Sequence, residues 1–429
     1  MLDIRLIREH PEEVRRNLEK RQDQEKIGWL DDLVAKDIEY RNLLQECQEL
    51  RHRRNVIALE INELKKQGKD ISGSVAKAKA LPGEIKAAEE RIAAIQEKIT
   101  FYLMRIPNTL HESVPFGKDS SENRAVRSWG KKPKFKFTLQ NHGELLEKLG
   151  LVNFEDASVV AGKGFHYLLG DLALVELALQ RFALDFLVKK GFTVVEPPLM
   201  LRRKPYEGVT DLKDFETMMY KVEGGNNEEL FLIATSEHPI AAMFMDKTIG
   251  EGKLPLKLCG VSPCFRKEIG SHGLDEKGLF RVHQFNKIEQ FVFCNPKDSW
   301  KIHEQLIHNA EQIFQKLKLP YRVVNICTGD IGIVAAKKYD LEVWMPREEA
   351  YKEAVSCSNC TTYQAVRLNI RYSSEKGKEF VHTLNSTALA TGRVLRAIVE
   401  NFQQADGTVK IPRVLAPYLP GITTLGKNN

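Results

Sequence analysis

No stretch of 18 consecutive apolar residues occurs in the 429-residue sequence, so a membrane-spanning helix is not expected. Met1–His10 lacks the apolar run of a secretory leader. Cysteine is sparse: seven residues at irregular spacing fit reduced thiols of a cytoplasmic enzyme and not a disulfide framework. The one close pair, Cys357-Ser-Asn-Cys360, has no second pair at finger spacing and reads as packing instead of a zinc site. Neither sign of charge dominates, because 64 Lys plus Arg against 58 Asp plus Glu leave only +6. That balance permits nucleic-acid binding without demanding it. An apolar content of 42% with 28% charged residues rules out wholesale disorder, and the length predicts two or three domains.

Glycine and proline are scarce between Gln24 and Arg105, and a helical pattern fills that stretch. Leu43, Cys47, Leu50, Arg54, Ile57, Ile61 and Leu64 step by fours and threes, the seam of a coiled coil broken only by Arg54. After the breaker-containing Gly68–Gly73, a second seam runs through Ala78, Leu81, Ile85, Ala88, Ile92, Ile95, Ile99 and Tyr102. Two such helices joined by a short loop must be antiparallel, and an arm of about 40 residues reaches on the order of 60 Å. Cations crowd its outer half, among them Arg51, Arg53, Arg54, Lys65, Lys66, Lys77 and Lys79. The charges fit either a solvated coiled-coil surface or a lever that touches a polyanion with its distal half; a hairpin this thin holds no catalytic cavity, so its reach calls for a partner that the sequence does not identify.

From Ile106 to about Asn141 the chain is rich in turn formers and bases and reads as a linker. Beyond it, a helix is expected over Asp171–Lys190, with Leu174, Leu177, Leu179 and Phe182 as core residues. Strands are expected at Leu230–Ile233, Leu256–Arg266, Phe280–Phe293, Tyr321–Val324 and Tyr351–Val355, and a closing helix near Ala388–Gln403. Strands outnumber the helices between them, which predicts an α+β fold: an antiparallel sheet with helices packed on one face.

The most informative stretch is Phe265-Arg266-Lys267-Glu268, followed after a charged loop by Arg281-Val-His-Gln-Phe285-Asn-Lys-Ile-Glu289. Residues two or four apart on a strand share a face. If these strands pair, Arg266, Glu268, Arg281, Phe285 and Glu289 converge, a set suited to holding an anion, a flat ring and an amine. His283 reads as structural, and Gly162-Lys-Gly164 is too short for a nucleotide loop.

These residues resemble a class II aminoacyl-tRNA synthetase, most closely of the seryl-tRNA synthetase family. Gly191-Phe192…Pro198 is similar to the first class signature, Arg266…Phe285…Glu289 to the second, and Ala388-Leu-Ala-Thr-Gly-Arg393 to the third. Family strings accompany them: Thr235-Ser-Glu237, Ser356-Cys-Ser-Asn-Cys360 with Tyr363-Gln364, and His382-Thr-Leu-Asn385. Thr387 stands where many relatives have serine, and Gly392 where an acidic residue usually precedes the arginine.

The resemblance implies a tRNA-binding domain over 1–110 with a helical hairpin arm, and an aminoacylation domain over 111–429. It implies ATP held by Arg266, Glu268, Phe285, Glu353, Ala354, Val355, Ser356 and Arg393, with Arg266 and Arg393 catalytic. Mg²⁺ would sit on Glu353 and Ser356, and serine on Thr235, Glu237, Glu289, Asn385 and Thr387. The partners implied are tRNA(Ser), contacted by the cations of the arm, and a second copy in a homodimer; tRNA(Sec) is left open as a further substrate. A relative that loads a carrier protein would lack the arm, and a catalytically dead paralogue would lack the arginines.

Overall fold

The computed structural model describes residues 1–211, 217–223, 228–268, 278–375 and 377–426. The chain forms two compact units, Leu2–Pro107 and Met1 with Asn108–Asn429. The first is dominated by helices α1 (Gln24–Lys66) and α2 (Ser72–Leu103), which pack along each other. Leu43, Cys47 and Ile57 of α1 and Leu81, Ile85, Ala88, Ile95 and Ile99 of α2 are buried between them, while Arg54 is exposed. The 43 residues of α1 span about 65 Å. Burial thins toward the tip, where Ile61 and Leu64 are only half-buried. At the turn the Asp70 carboxylate accepts from the Ser72 amide at 2.9 Å, starting α2 inside the glycine-containing segment.

The second unit is built on an eight-stranded sheet. Its strands are β1 (Arg124–Trp129), β2 (Thr193–Val195), β3 (Leu256–Phe265), β4 (Gln284–Cys294), β5 (Tyr321–Asn325), β6 (Lys337–Met345), β7 (Ala350–Asn359) and β8 (His382–Ala390). They lie in the order β1-β5-β6-β7-β8-β4-β3-β2, antiparallel throughout except for the β2–β3 pair. Helices α3 (Gly170–Val188), α4 (Ser299–Leu317) and α5 (Thr391–Phe402) share one apolar core with the sheet.

Alternation along β4 explains how one strand serves two layers. Its even residues Ile288, Val292 and Cys294 enter the core with α3, α4 and α5. Its odd residues face the other way. There Phe291 and Phe293 pack with Ile240 and Leu368 of two short helices, Glu237–Ala242 and Tyr363–Leu368. The same face continues as Glu289, Lys287 and Phe285, where apolar covering gives way to polar groups.

Several expectations are corrected. The segment expected to be wholly linker contains β1, an edge strand. The strand placed at Phe280 begins at Gln284, and Arg266 lies just past the end of β3. The closing helix starts at Thr391, because Ala388–Ala390 still belong to β8; β6 and β8 themselves were not anticipated. Leu174 and Leu177 are not core residues but 47% and 59% exposed, unlike Leu179 and Phe182. All seven cysteines are free and buried, in keeping with packing.

Candidate active site

The site lies on the odd-numbered face of β4 and its neighbours. Register sets it: Glu289 lies opposite Gly260 on β3 and opposite Thr387 on β8, and Phe291 lies opposite Asn385. Glycine is required at 260, since a Cβ there would stand 2.2 Å from the Ser236 hydroxyl oxygen. The close approach brings Thr235-Ser-Glu237 against the sheet.

One corner is lined with amides, hydroxyls and carboxylates. Glu237 Oε1 accepts from Gln364 Nε2 at 2.7 Å and from Asn385 Nδ2 at 3.0 Å. The Thr235 hydroxyl accepts from the Glu237 amide at 3.2 Å. Thr387 Oγ1 donates to Glu289 Oε2 at 3.2 Å, and Lys287 Nζ reaches the same carboxylate at 2.6 Å. Burial, then the neighbouring charge of Glu289, raises Glu237 to about 7, against the Gln364 hydrogen bond and the Lys287 and Arg266 cations. Burial also raises Glu289, opposed first by Lys287. The corner therefore has a carboxyl group poised to take up negative charge beside a cationic guest.

A second corner is cationic and aromatic. The Arg266 guanidinium lies 5.4 Å from the centre of the Phe285 ring, and its Nε is buried with no hydrogen-bond partner among the described residues. His283 Nδ1 lies 2.8 Å from the Arg266 carbonyl oxygen, and the Arg266 amide donates back to the His283 carbonyl at 2.9 Å, so the backbone bearing this arginine is clamped. Glu268 is half-buried at φ 45°, and Arg281 is exposed ahead of β4.

The third corner pairs Arg393, in the first turn of α5, with Glu353 on β7. Nη1 donates to Oε1 at 2.9 Å and to the Glu353 carbonyl oxygen at 3.0 Å. Gly392 lets this helix start come close, because a Cβ there would lie 2.4 Å from the Leu279 carbonyl oxygen. Arg393, Lys338 and Arg266 hold the Glu353 carboxylate, its side chain 44% exposed, down to about 2. Ser356 is half-buried further along β7, whereas Ala354 and Val355 turn their side chains into the core and offer a ligand only main-chain atoms.

Asp340 lies opposite Ser356 on β6. Its Oδ1 is buried without a hydrogen-bond partner among the described residues, and its Oδ2 lies 3.3 Å from Lys338 Nζ. Carboxylate and hydroxyl oxygens are hard donors that fit Mg²⁺. Among the described residues no three His, Cys, Asp or Glu side chains form a cage for a metal. An ion that relies on substrate phosphates for its remaining ligands has no need of one.

The sequence reading named Gln364 only within a family string, without a site role, and did not mark Lys287 or Asp340. Lys287 had a usable signal, being odd-numbered between Phe285 and Glu289. Asp340 had none without the fold. The cations expected on the arm are all exposed, and Arg51 pairs with Glu89 at 2.7 Å.

Residues 220–402 match the family model of the class II tRNA synthetase core domain (G, H, P, S and T), and residues 1–110 that of the seryl-tRNA synthetase N-terminal domain. A serine–tRNA ligase of Methanocella arvoryzae is 59% identical over 428 residues, covering 99% of this chain and 100% of the relative. The crystal structure of seryl-tRNA synthetase from Pyrococcus horikoshii complexed with ATP superposes with a TM-score of 0.93 at 47% identity, covering 100% of both chains. That of the cytoplasmic serine–tRNA ligase from Naegleria fowleri in complex with AMP gives 0.88 at 36% identity, covering 100% of this chain and 99% of that one. The chain belongs to the seryl-tRNA synthetase family of class II aminoacyl-tRNA synthetases.

Proposed function

We propose that this chain activates serine with ATP and transfers it to the 3′-terminal adenosine of tRNA(Ser). The observation that carries the reading is the meeting, on one sheet face, of a buried carboxyl–hydroxyl corner with two arginines from separate segments. In the first step a serine carboxylate oxygen attacks the α-phosphorus; the bond to the bridging oxygen breaks and pyrophosphate leaves. Arg266 binds the α-phosphate and Arg393 the γ-phosphate, fixed cations where negative charge grows. Phe285 stacks on adenine, Glu268 accepts from its amino group, and Ala354 and Val355 contribute backbone. Glu353 and Ser356 would hold Mg²⁺, which would neutralise phosphate charge.

Glu237 and Glu289 take the serine ammonium, with Thr235 beside them. Asn385 and Thr387 read the substrate hydroxyl, so alanine or glycine leaves buried polar groups unpaired. In the second step a terminal ribose hydroxyl attacks the acyl carbonyl and AMP leaves. A phosphate oxygen of the adenylate accepts the proton, a role for which no general base is obvious in the sequence. The cationic arm grips the tRNA body, with Arg51, Arg53, Arg54, Lys65, Lys66, Lys77 and Lys79 as phosphate contacts. The chain works as a homodimer in the cytoplasm, supported by the exposed apolar row on α3 and by its seven free thiols.

Serine-dependent exchange of pyrophosphate into ATP, run against a panel of other amino acids and followed by tRNA charging, tests the reading. Exchange stimulated by serine alone is expected. Stimulation by another amino acid, or charging of a carrier protein only, would refute it.

A further inference from the structure

The chain's whole net charge of +6 equals that of one short stretch. Between Glu122 and Glu144 there is no acidic residue, while Arg124, Arg127, Lys131, Lys132, Lys134 and Lys136 contribute six cations. Two of these are already engaged. Arg127 forks onto Glu311 with two contacts of 2.9 Å, and the Lys132 ammonium lies 3.7 Å from the Trp344 ring centre and 5.0 Å from that of Tyr351. Arg124, Lys131, Lys134 and Lys136 are exposed, and no carboxylate pairs with them among the described residues.

Charges on an edge strand such as β1 deter pairing with another sheet. That accounts for Arg124 and Arg127, but not for the lysines beyond Gly130. Those lysines are held outward by their neighbours. Phe135 and Phe137 are half-buried and meet edge to face at 5.4 Å, leaving Lys134 and Lys136 in solvent.

The anchor of the segment stands next to the phosphate end of the site. Trp344 lies opposite Tyr351 as Glu342 lies opposite Glu353, and Tyr351 precedes Glu353 by two residues on β7. They share a face of the strand, roughly 7 Å apart. Any RNA whose terminal ribose reaches the adenylate must bring its last phosphates into this neighbourhood.

We propose that Lys131, Lys134 and Lys136 form a second RNA-binding surface, on the catalytic unit itself, that holds backbone phosphates at the acceptor end of the tRNA. The proposal rests on the reading that the chain charges tRNA. Unpaired lysines on flexible stems suit a polyanion whose phosphates vary in position, whereas ATP is already met by two fixed arginines.

The test uses the full chain with Lys131→Gln, Lys134→Gln and Lys136→Gln combined, beside a second variant with arginine at the same three positions. With a tRNA(Ser) transcript, the glutamine variant should raise the KM for tRNA about tenfold or more and leave kcat within about twofold. Its log affinity against log salt should be shallower by about two. Serine-dependent pyrophosphate exchange and the KM for ATP should not change, and the arginine variant should behave as the unsubstituted chain.

Unaltered tRNA charging by the glutamine variant would overturn the proposal. So would a rise in the KM for ATP without a change toward tRNA, which would assign the lysines to the nucleotide. An unsubstituted chain that exchanged pyrophosphate but charged no tRNA would refute the functional reading, and this proposal with it.

Discussion

Glu237 is the residue where structure adds most to composition. Its value near 7, above an ordinary 4.5, means that the ligand-free fold keeps a proton the unfolded chain has lost. The contribution of this group to stability is therefore greatest below pH 4.5 and declines as pH rises to about 7. A serine ammonium reverses the local preference, favouring the charged form, so binding releases a proton in that window. The KM for serine in pyrophosphate exchange should rise as pH falls below 7, by about fivefold between pH 7 and 6. Glu237→Gln should raise the KM for serine and flatten this dependence; a profile identical to that of the unsubstituted chain would remove Glu237 from the serine pocket. Arg266→Ala should lower kcat by about 10²–10³ while the melting temperature stays close to unsubstituted, because its buried Nε serves no partner within the described protein. Phe285 and Glu289 were legible as strand parity, whereas Arg266 and Glu268 lie past the end of β3 and Glu237, Glu353 and Arg393 were marked only by the family resemblance. Lys287 was equally legible in principle, but a lysine between Phe285 and Glu289 looks like solvent exposure until β8 and the Glu237 helix cover it.

At the scale of elements, the arm was readable because its seam repeats for many turns and needs no tertiary context. Deleting about Gln45–Glu90 should leave serine-dependent exchange within a few-fold and abolish tRNA charging, as measured by the two assays side by side. Charging at full efficiency would show that the arm does not hold the tRNA. The sheet was less legible, for physical reasons that differ strand by strand. The residues of β8, His382–Ala390, mix polar side chains with two leucines and two alanines and have few β-branched side chains. Almost all are buried, since both faces are covered, so the alternation that announces a strand is missing. The run Ala388–Ala390 then looks like the start of α5, although the helix begins only where the Thr391 hydroxyl donates to Glu176 and to the Asn286 carbonyl. In β6 the opposite holds: Asp340 and Glu342 face the site and Leu341 and Val343 the core, but the charges hid the pattern. In β1, almost wholly exposed, Ala125, Val126 and Trp129 are present but do not alternate with the polar residues, so no strand period shows.

For the whole molecule, the misread leucines matter more than the well-read ones. Leu174, Leu177 and Val188 of α3 are 47%, 59% and 50% exposed, and Val194 on β2 and Met200 continue the apolar surface. Large apolar side chains this exposed along one helix are the kind of surface that a partner covers. It also borders the proposed nucleotide site. A cavity of about 340 Å³ is lined by Leu168, Leu177, Phe285 and Gly392, among others. A second copy seated on α3 would close that cavity and steady Phe285, the ring proposed to stack on adenine. Leu177→Arg should therefore convert a particle of twice 48.9 kDa into one of 48.9 kDa in sedimentation, and the resulting monomer should bind ATP more weakly in equilibrium dialysis. A monomeric variant with unchanged ATP affinity would separate the interface from the site. A variant that still sedimented as a dimer would place the interface elsewhere on the surface, and the exposed row on α3 would then need a different partner.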